Sequence, residues 1–124
     1  REVVRRLDDL QPQGLSNILW SYAYTGAPDH GVLEAVISEF QRKMLACDPQ
    51  ALGNVSWALA KLVVLNVPML EQISCEAIRK AEGFDPQGLA NLAWAFATLQ
   101  HEDVQLFDCL GDTLVQDPSR WQPQ

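Results

Sequence analysis

The dipeptide Pro-Gln stands at Pro12-Gln13, Pro49-Gln50, Pro86-Gln87 and Pro123-Gln124, and every interval between them is 37 residues. A chain that copies itself at a stride of roughly 20 to 50 residues builds an array, because one such unit cannot bury its own apolar face and must stack on the next. Alignment of the copies puts Leu15/Leu52/Leu89, Asn17/Asn54/Asn91, Trp20/Trp57/Trp94 and Ala23/Ala60/Ala97 in register; with Pro and Gln, six positions are identical in all three. The expected units are residues 11–47, 48–84 and 85–121, with 1–10 as the end of a preceding unit and 122–124 as the start of the next. The chain therefore reads as one continuous array and as a piece of a longer protein.

Each unit reads as two helices. The first opens at Gln11, Asp48 or Asp85; an Asp there caps a helix, and Pro suits the first helical position because its missing N–H is one the helix could not use. It runs to about Thr25, Leu62 and Leu99. The second follows a short turn, Gly26-Ala27-Pro28-Asp29, Asn66-Val67-Pro68 or His101-Glu102-Asp103. Its apolar stripe is Val32, Leu33, Val36, Ile37, Phe40 in the first copy, with Met69, Leu70, Ile73, Ala77, Ile78 and Leu106, Phe107, Leu110, Leu114, Val115 in the others. Those spacings follow the helical period, and no alternating strand pattern occurs. Lys61 is the only charged residue between any Pro-Gln and the following turn, so the first helices are expected to be sandwiched while the second helices carry most of the solvent face. The expected fold is all-α: an α-solenoid of 37-residue helix-turn-helix repeats, three units plus a partial unit at each end.

The motif PQGLSNILWSYAYTG, echoed by PQALGNVSWALAKLV and PQGLANLAWAFATLQ, resembles the octotricopeptide repeat family and, equally, the 37-residue heptatricopeptide repeats found beside RAP domains. The shared pattern, Pro-Gln-x-Leu-x-Asn-x-x-Trp-x-x-Ala, covers essentially the whole chain. The resemblance implies a module that binds single-stranded RNA in a mitochondrion or plastid and serves transcript stability, RNA processing, translation or ribosome assembly. A non-catalytic scaffold that binds proteins of a large organellar complex, such as a ribosome, is the alternative.

On a helix, Gln13, Asn17, Trp20 and Tyr24 share one narrow stripe; their equivalents are Gln50, Asn54, Trp57, Lys61 and Gln87, Asn91, Trp94, Thr98. Amide groups beside an aromatic ring can read an unstacked base by its edge and its face. Candidate RNA contacts are therefore Gln13, Asn17, Tyr24, Gln50, Asn54, Lys61, Gln87, Asn91 and Thr98, the Tyr24/Lys61/Thr98 row foremost because a reading position must vary between units. The Ser16/Gly53/Ala90 row varies too. The structural alternatives are that Trp packs between units, that Asn bonds loop carbonyls or its counterpart in the next unit, and that Gln helps to cap its helix.

A second row consists of the basic pairs Arg5-Arg6, Arg42-Lys43 and Arg79-Lys80, again 37 residues apart, which are candidate phosphate contacts. Glu2, Glu39 and Glu76 stand four residues before Arg6, Lys43 and Lys80, so helical ion pairs explain the same pattern. The net charge is −7, and five of those charges belong to residues 85–121. Such acidity opposes long-range attraction of nucleic acid. The recurrent acids Glu34, Glu71 and Asp108, however, belong to second helices, away from the first-helix stripe.

Other chemistry leaves no trace. Cys47, Cys75 and Cys109 form no CxxC pair and no disulfide framework, and neither His30 nor His101 has partners at zinc spacing. No glycine-rich phosphate loop or nucleophile elbow is present, so no catalytic role, metal or cofactor is expected, and any enzymatic domain would lie outside these residues. No apolar run is long enough to span a bilayer.

Overall fold

The computed structural model describes residues 7–26, 30–101 and 103–116. Among them are six α-helices and no strand: α1 Pro12–Thr25, α2 His30–Arg42, α3 Pro49–Lys61, α4 Val67–Arg79, α5 Pro86–Thr98 and α6 Val104–Gln116. The chain is all-helical, and no described helix is long and apolar enough to cross a membrane.

Local chemistry explains where the helices begin. Pro occupies the first position of α1, α3 and α5. The Asp48 carboxylate accepts from the Ala51 amide at 2.8 Å and the Asp85 carboxylate from the Gly88 amide at 2.6 Å, whereas Gln11 makes no side-chain cap. The later helices use caps that the sequence reading overlooked: Asn66 Oδ1 accepts from the Met69 amide at 3.1 Å and Asp103 Oδ1 from the Leu106 amide at 2.9 Å. These residues are themselves 37 apart.

The helix ends repeat as well. After α3, the Val64 amide bonds the Leu59 carbonyl at 2.8 Å and the Val63 amide bonds Ala60 at 3.1 Å; after α5, His101 bonds Phe96 and Gln100 bonds Ala97, both at 3.1 Å. This paired closure needs a left-handed residue, and Val63 and Gln100 both take φ 56°, where Gly26 after α1 takes φ 100°. A 3-10 turn follows each described basic pair, at Met44–Ala46 and Ala81–Gly83. A third, Leu7–Asp9, stands where the end of a preceding second helix was expected. Residues 1–6 of that segment lie outside the described residues.

The helices form two layers. α3 lies between α1 and α5, while α2 packs on α1 and α4 on α3. Small residues set the spacing of the first layer: a Cβ on Gly53 would sit 3.4 Å from the Gly88 Cα, and Ser16 and Ala51 are both fully buried. Gly53, of the variable row, therefore faces the backbone of α5, while Ser16 is buried and donates its hydroxyl to the Gln13 carbonyl of its own helix at 2.9 Å. Leu15, Leu19, Leu52, Leu59, Leu92 and Phe96 complete the core from the first helices, and Val36, Phe40, Leu70, Ile73 and Leu106 close it from the second. The expectation that first helices are sandwiched holds fully only on the core side. Their opposite stripe is open, with Trp20 41% and Trp94 43% exposed.

Candidate functional site

The open stripe holds every first-helix residue named as a candidate RNA contact, together with the tryptophans, but not the Ser16/Gly53/Ala90 row. Gln13, Asn17, Trp20 and Tyr24 of α1 are exposed; on α3 Gln50 and Lys61 are exposed and Asn54 and Trp57 half-buried; on α5 Gln87, Trp94 and Thr98 are exposed and Asn91 half-buried. The row foremost for ligand contact, Tyr24/Lys61/Thr98, is thus solvent-accessible throughout, Tyr24 at 67%.

Helices α1 and α3 bring rings together. The Trp20 and Tyr24 centroids lie 4.4 Å apart, Trp20 and Trp57 5.9 Å, and Tyr24 and Trp57 5.8 Å. Such contacts contribute about 1 kcal/mol each beyond area burial, which orders the side chains without hiding them. Lys61 Nζ lies 5.7 Å from the Trp57 ring centre, within cation–π range. The arrangement places one positive charge at the edge of an aromatic surface that spans two helices. It can accept a flat π-system by stacking and an anionic group beside it.

Packing and exposure coexist in the tryptophans. Reading Trp as an inter-unit packing residue matches the Trp20–Trp57 contact, yet Trp20 keeps enough open face to meet a ligand. The amides behave differently from either structural alternative. Gln87 Nε2 donates to Asn91 Oδ1 at 3.0 Å within one helix, and neither loop carbonyls nor a neighbouring Asn are engaged. No side-chain hydrogen bond within the described residues occupies Asn17 or Asn54.

The basic pairs are built into the second helices. Glu39, 6% exposed, pairs with Arg42 at 3.1 Å and Lys43 at 3.0 Å; Glu76, also 6% exposed, pairs with Arg79 at 2.8 Å and Lys80 at 3.0 Å. Lys43 also reaches back to the turn before α1, and Lys80 to the turn before α3. Lys43 Nζ donates to the carbonyls of Leu7 at 3.2 Å and Leu10 at 2.6 Å, and Lys80 Nζ to those of Leu45 at 3.0 Å and Cys47 at 2.5 Å. These ammoniums point into the fold, so the expected cationic edge is reduced to Arg42 and Arg79, each held by its glutamate. Arg5 and Arg6 lie outside the described residues.

The electrostatics follow from this geometry. Burial pushes the Glu76 carboxyl up, but hydrogen bonds and charge from Lys80 and Arg79 outweigh it and hold the group below its ordinary 4.5. Cys47 is buried beside the same lysine, and desolvation pushes its thiol up to about 12 despite the Lys80 charge. In α6, Thr113 replaces the glutamate and bonds the Cys109 carbonyl at 2.9 Å. Among the described residues no three His, Cys, Asp or Glu side chains gather to hold a metal ion.

Compared with known proteins, the chain matches no family model and no curated protein.

Proposed function

We propose that the chain is an α-solenoid of 37-residue helix pairs that binds single-stranded RNA along the exposed stripe of α1, α3 and α5. One observation carries this reading: the exposed rings of Trp20 and Tyr24 gather against the half-buried Trp57, flanked by Lys61 and by the Gln and Asn amides of the same stripe. Stacking tolerates any base, and the amides supply the edges that discriminate between them. The Pro-Gln-x-Leu-x-Asn-x-x-Trp-x-x-Ala pattern, through its resemblance to octotricopeptide and heptatricopeptide repeats, extends the proposal to a mitochondrion or plastid and to RNA processing, stability, translation or ribosome assembly.

With Lys61 as the only cation on the stripe, affinity rests on stacking more than on phosphate neutralisation. Titration of the chain with a labelled mixed-sequence single-stranded RNA at rising salt tests this. The slope of log K against log salt is expected near −0.7, the value for about one phosphate contact. Joint Trp20→Ala and Tyr24→Ala substitution is expected to weaken binding by about tenfold, the loss of one stacked base. No binding at low salt would overturn the proposal.

A scaffold in an organellar assembly is the second reading. The observation that favours it is the exposed row of acids Glu34, Glu71 and Asp108 on the second helices, none of them ion-paired within the described residues.

A further inference from the structure

The second-helix layer is not closed as tightly as the first. Two adjoining cavities, of about 620 and 710 Å³, run along the seam between α2 and α4 and share Gln41 and Pro68. Gln41 Nε2 donates to Gln72 Oε1 at 2.9 Å across the seam. One end is apolar, with Leu65 60% and Val67 40% exposed beside Pro68; at the other end Leu45 is 76% exposed.

Leu65 is not needed to make the turn that follows α3. The turn after α5 closes with the same two hydrogen bonds while carrying Gln100 and His101 where the turn after α3 carries Val63 and Val64. Glu102 replaces Leu65 at the next position in the sequence. Where the following turn carries Glu102, this one keeps an exposed leucine on the cavity wall, which is characteristic of a contact surface.

Charge selects the occupant. Glu34 lines the first cavity and Glu71 the second, both exposed and without an ion pair among the described residues; Arg42, at the far end, is held by Glu39. A second copy of this chain, with its net charge of −7, would set like charges opposite one another. A segment with apolar anchors and lysines or arginines beside them meets both the apolar ends and the acids. The walls are two helices of 13 residues, about 20 Å long, which is the geometry that receives a helix rather than a strand.

We infer that the α2/α4 seam is a docking groove for a basic amphipathic helix of a partner protein, seated on Leu65, Val67 and Leu45 and flanked by Glu34 and Glu71. The groove belongs to the second-helix layer, so it stands whether or not the first-helix stripe binds RNA.

Cys75 lines the groove and is exposed, while Cys109 lines the separate cavity between α4 and α6. This gives a local readout. The probe is a synthetic amphipathic helix of leucine and lysine, with a leucine and glutamate version as its counterpart. The Leu/Lys peptide is expected to slow maleimide labelling of Cys75 about fivefold or more at saturation, and to leave Cys109 unchanged. Glu71→Lys and, separately, Leu65→Ser should each weaken the peptide several-fold, while Asp112→Lys on α6, with the same change of charge, should leave it within about twofold. Because these are exposed positions, the variants should keep the native helical circular dichroism; the protection experiment on the unaltered chain decides the matter even if one of them does not. Equal protection of both thiols, no protection of either, equal binding of the Leu/Glu peptide, or self-association that shields Cys75 without any peptide would each overturn the inference.

Discussion

Val63 occupies a left-handed position that glycine fills after α1, and it gains nothing from burial, being 79% exposed. Val63→Gly should relieve the backbone strain and return part of the gain as chain entropy, for a net stabilisation of about 0.5–1 kcal/mol. A thermal melt should show the midpoint higher by roughly 2–4 °C, and an unchanged or lower midpoint would mean that Val63 is not strained. Glu76 makes the opposite kind of contribution. Its carboxyl is held below 4.5 in the folded state, so the stability it contributes is present above that pH and is lost as pH falls through the lower folded value. The melting temperature of the native chain should therefore drop on acidification below about pH 4.5, and Glu76→Gln should flatten that part of the profile. A parallel decline in both proteins would assign the acid sensitivity to other carboxylates. At this scale the caps that precede Pro were legible, Asp48 and Asp85 capping as expected, whereas the equally local caps Asn66 and Asp103 were not. The strain at Val63 was not legible, because only its register with Gly26 betrays the left-handed turn, and valine otherwise argues against it.

At the scale of helices and turns, one lysine joins several elements. Lys80 projects from the end of α4, neutralises a buried glutamate on the same helix and bonds two carbonyls of the turn that precedes α3. Lys80→Met would leave Glu76 with Arg79 alone and strip two carbonyls of their donor. The cost should be about 3 kcal/mol, the low end for breaking a buried pair, since the lysine side chain is itself 24% exposed. Chemical denaturation should show this as a reduced midpoint, and Arg79→Met, on the more exposed partner, should cost clearly less. Equal losses would mean that the carbonyl bonds contribute nothing. The Glu-x-x-x-Lys spacing made the ion pair readable from sequence. The long reach to the preceding turn was not readable, because the 3-10 segments Met44–Ala46 and Ala81–Gly83 carry no distinctive pattern and the bond spans more than thirty residues.

Across the whole molecule, the two helix layers differ in how they spend their side chains. The first layer is drawn together where Gly53 meets Gly88 and turns its amides and tryptophans outward; the second layer closes the core and leaves seams between its helices. A single sequence shows which residues share a stripe, because helical period fixes it. It does not show which stripe meets water, because nearly uncharged helices look alike whether buried all round or open along one row of Gln, Asn and Trp. The same ambiguity made Trp read as packing when it both packs and remains open. The central proposition is that a ligand meets the first-helix stripe rather than the arginines of the second layer. Photo-crosslinking of a 4-thiouridine-bearing single-stranded RNA to the chain, with the adducts mapped by mass spectrometry, tests it most directly. Adducts at Trp20, Tyr24 or Trp57 are the predicted result; adducts confined to the α2 and α4 peptides around Arg42 and Arg79 would contradict it.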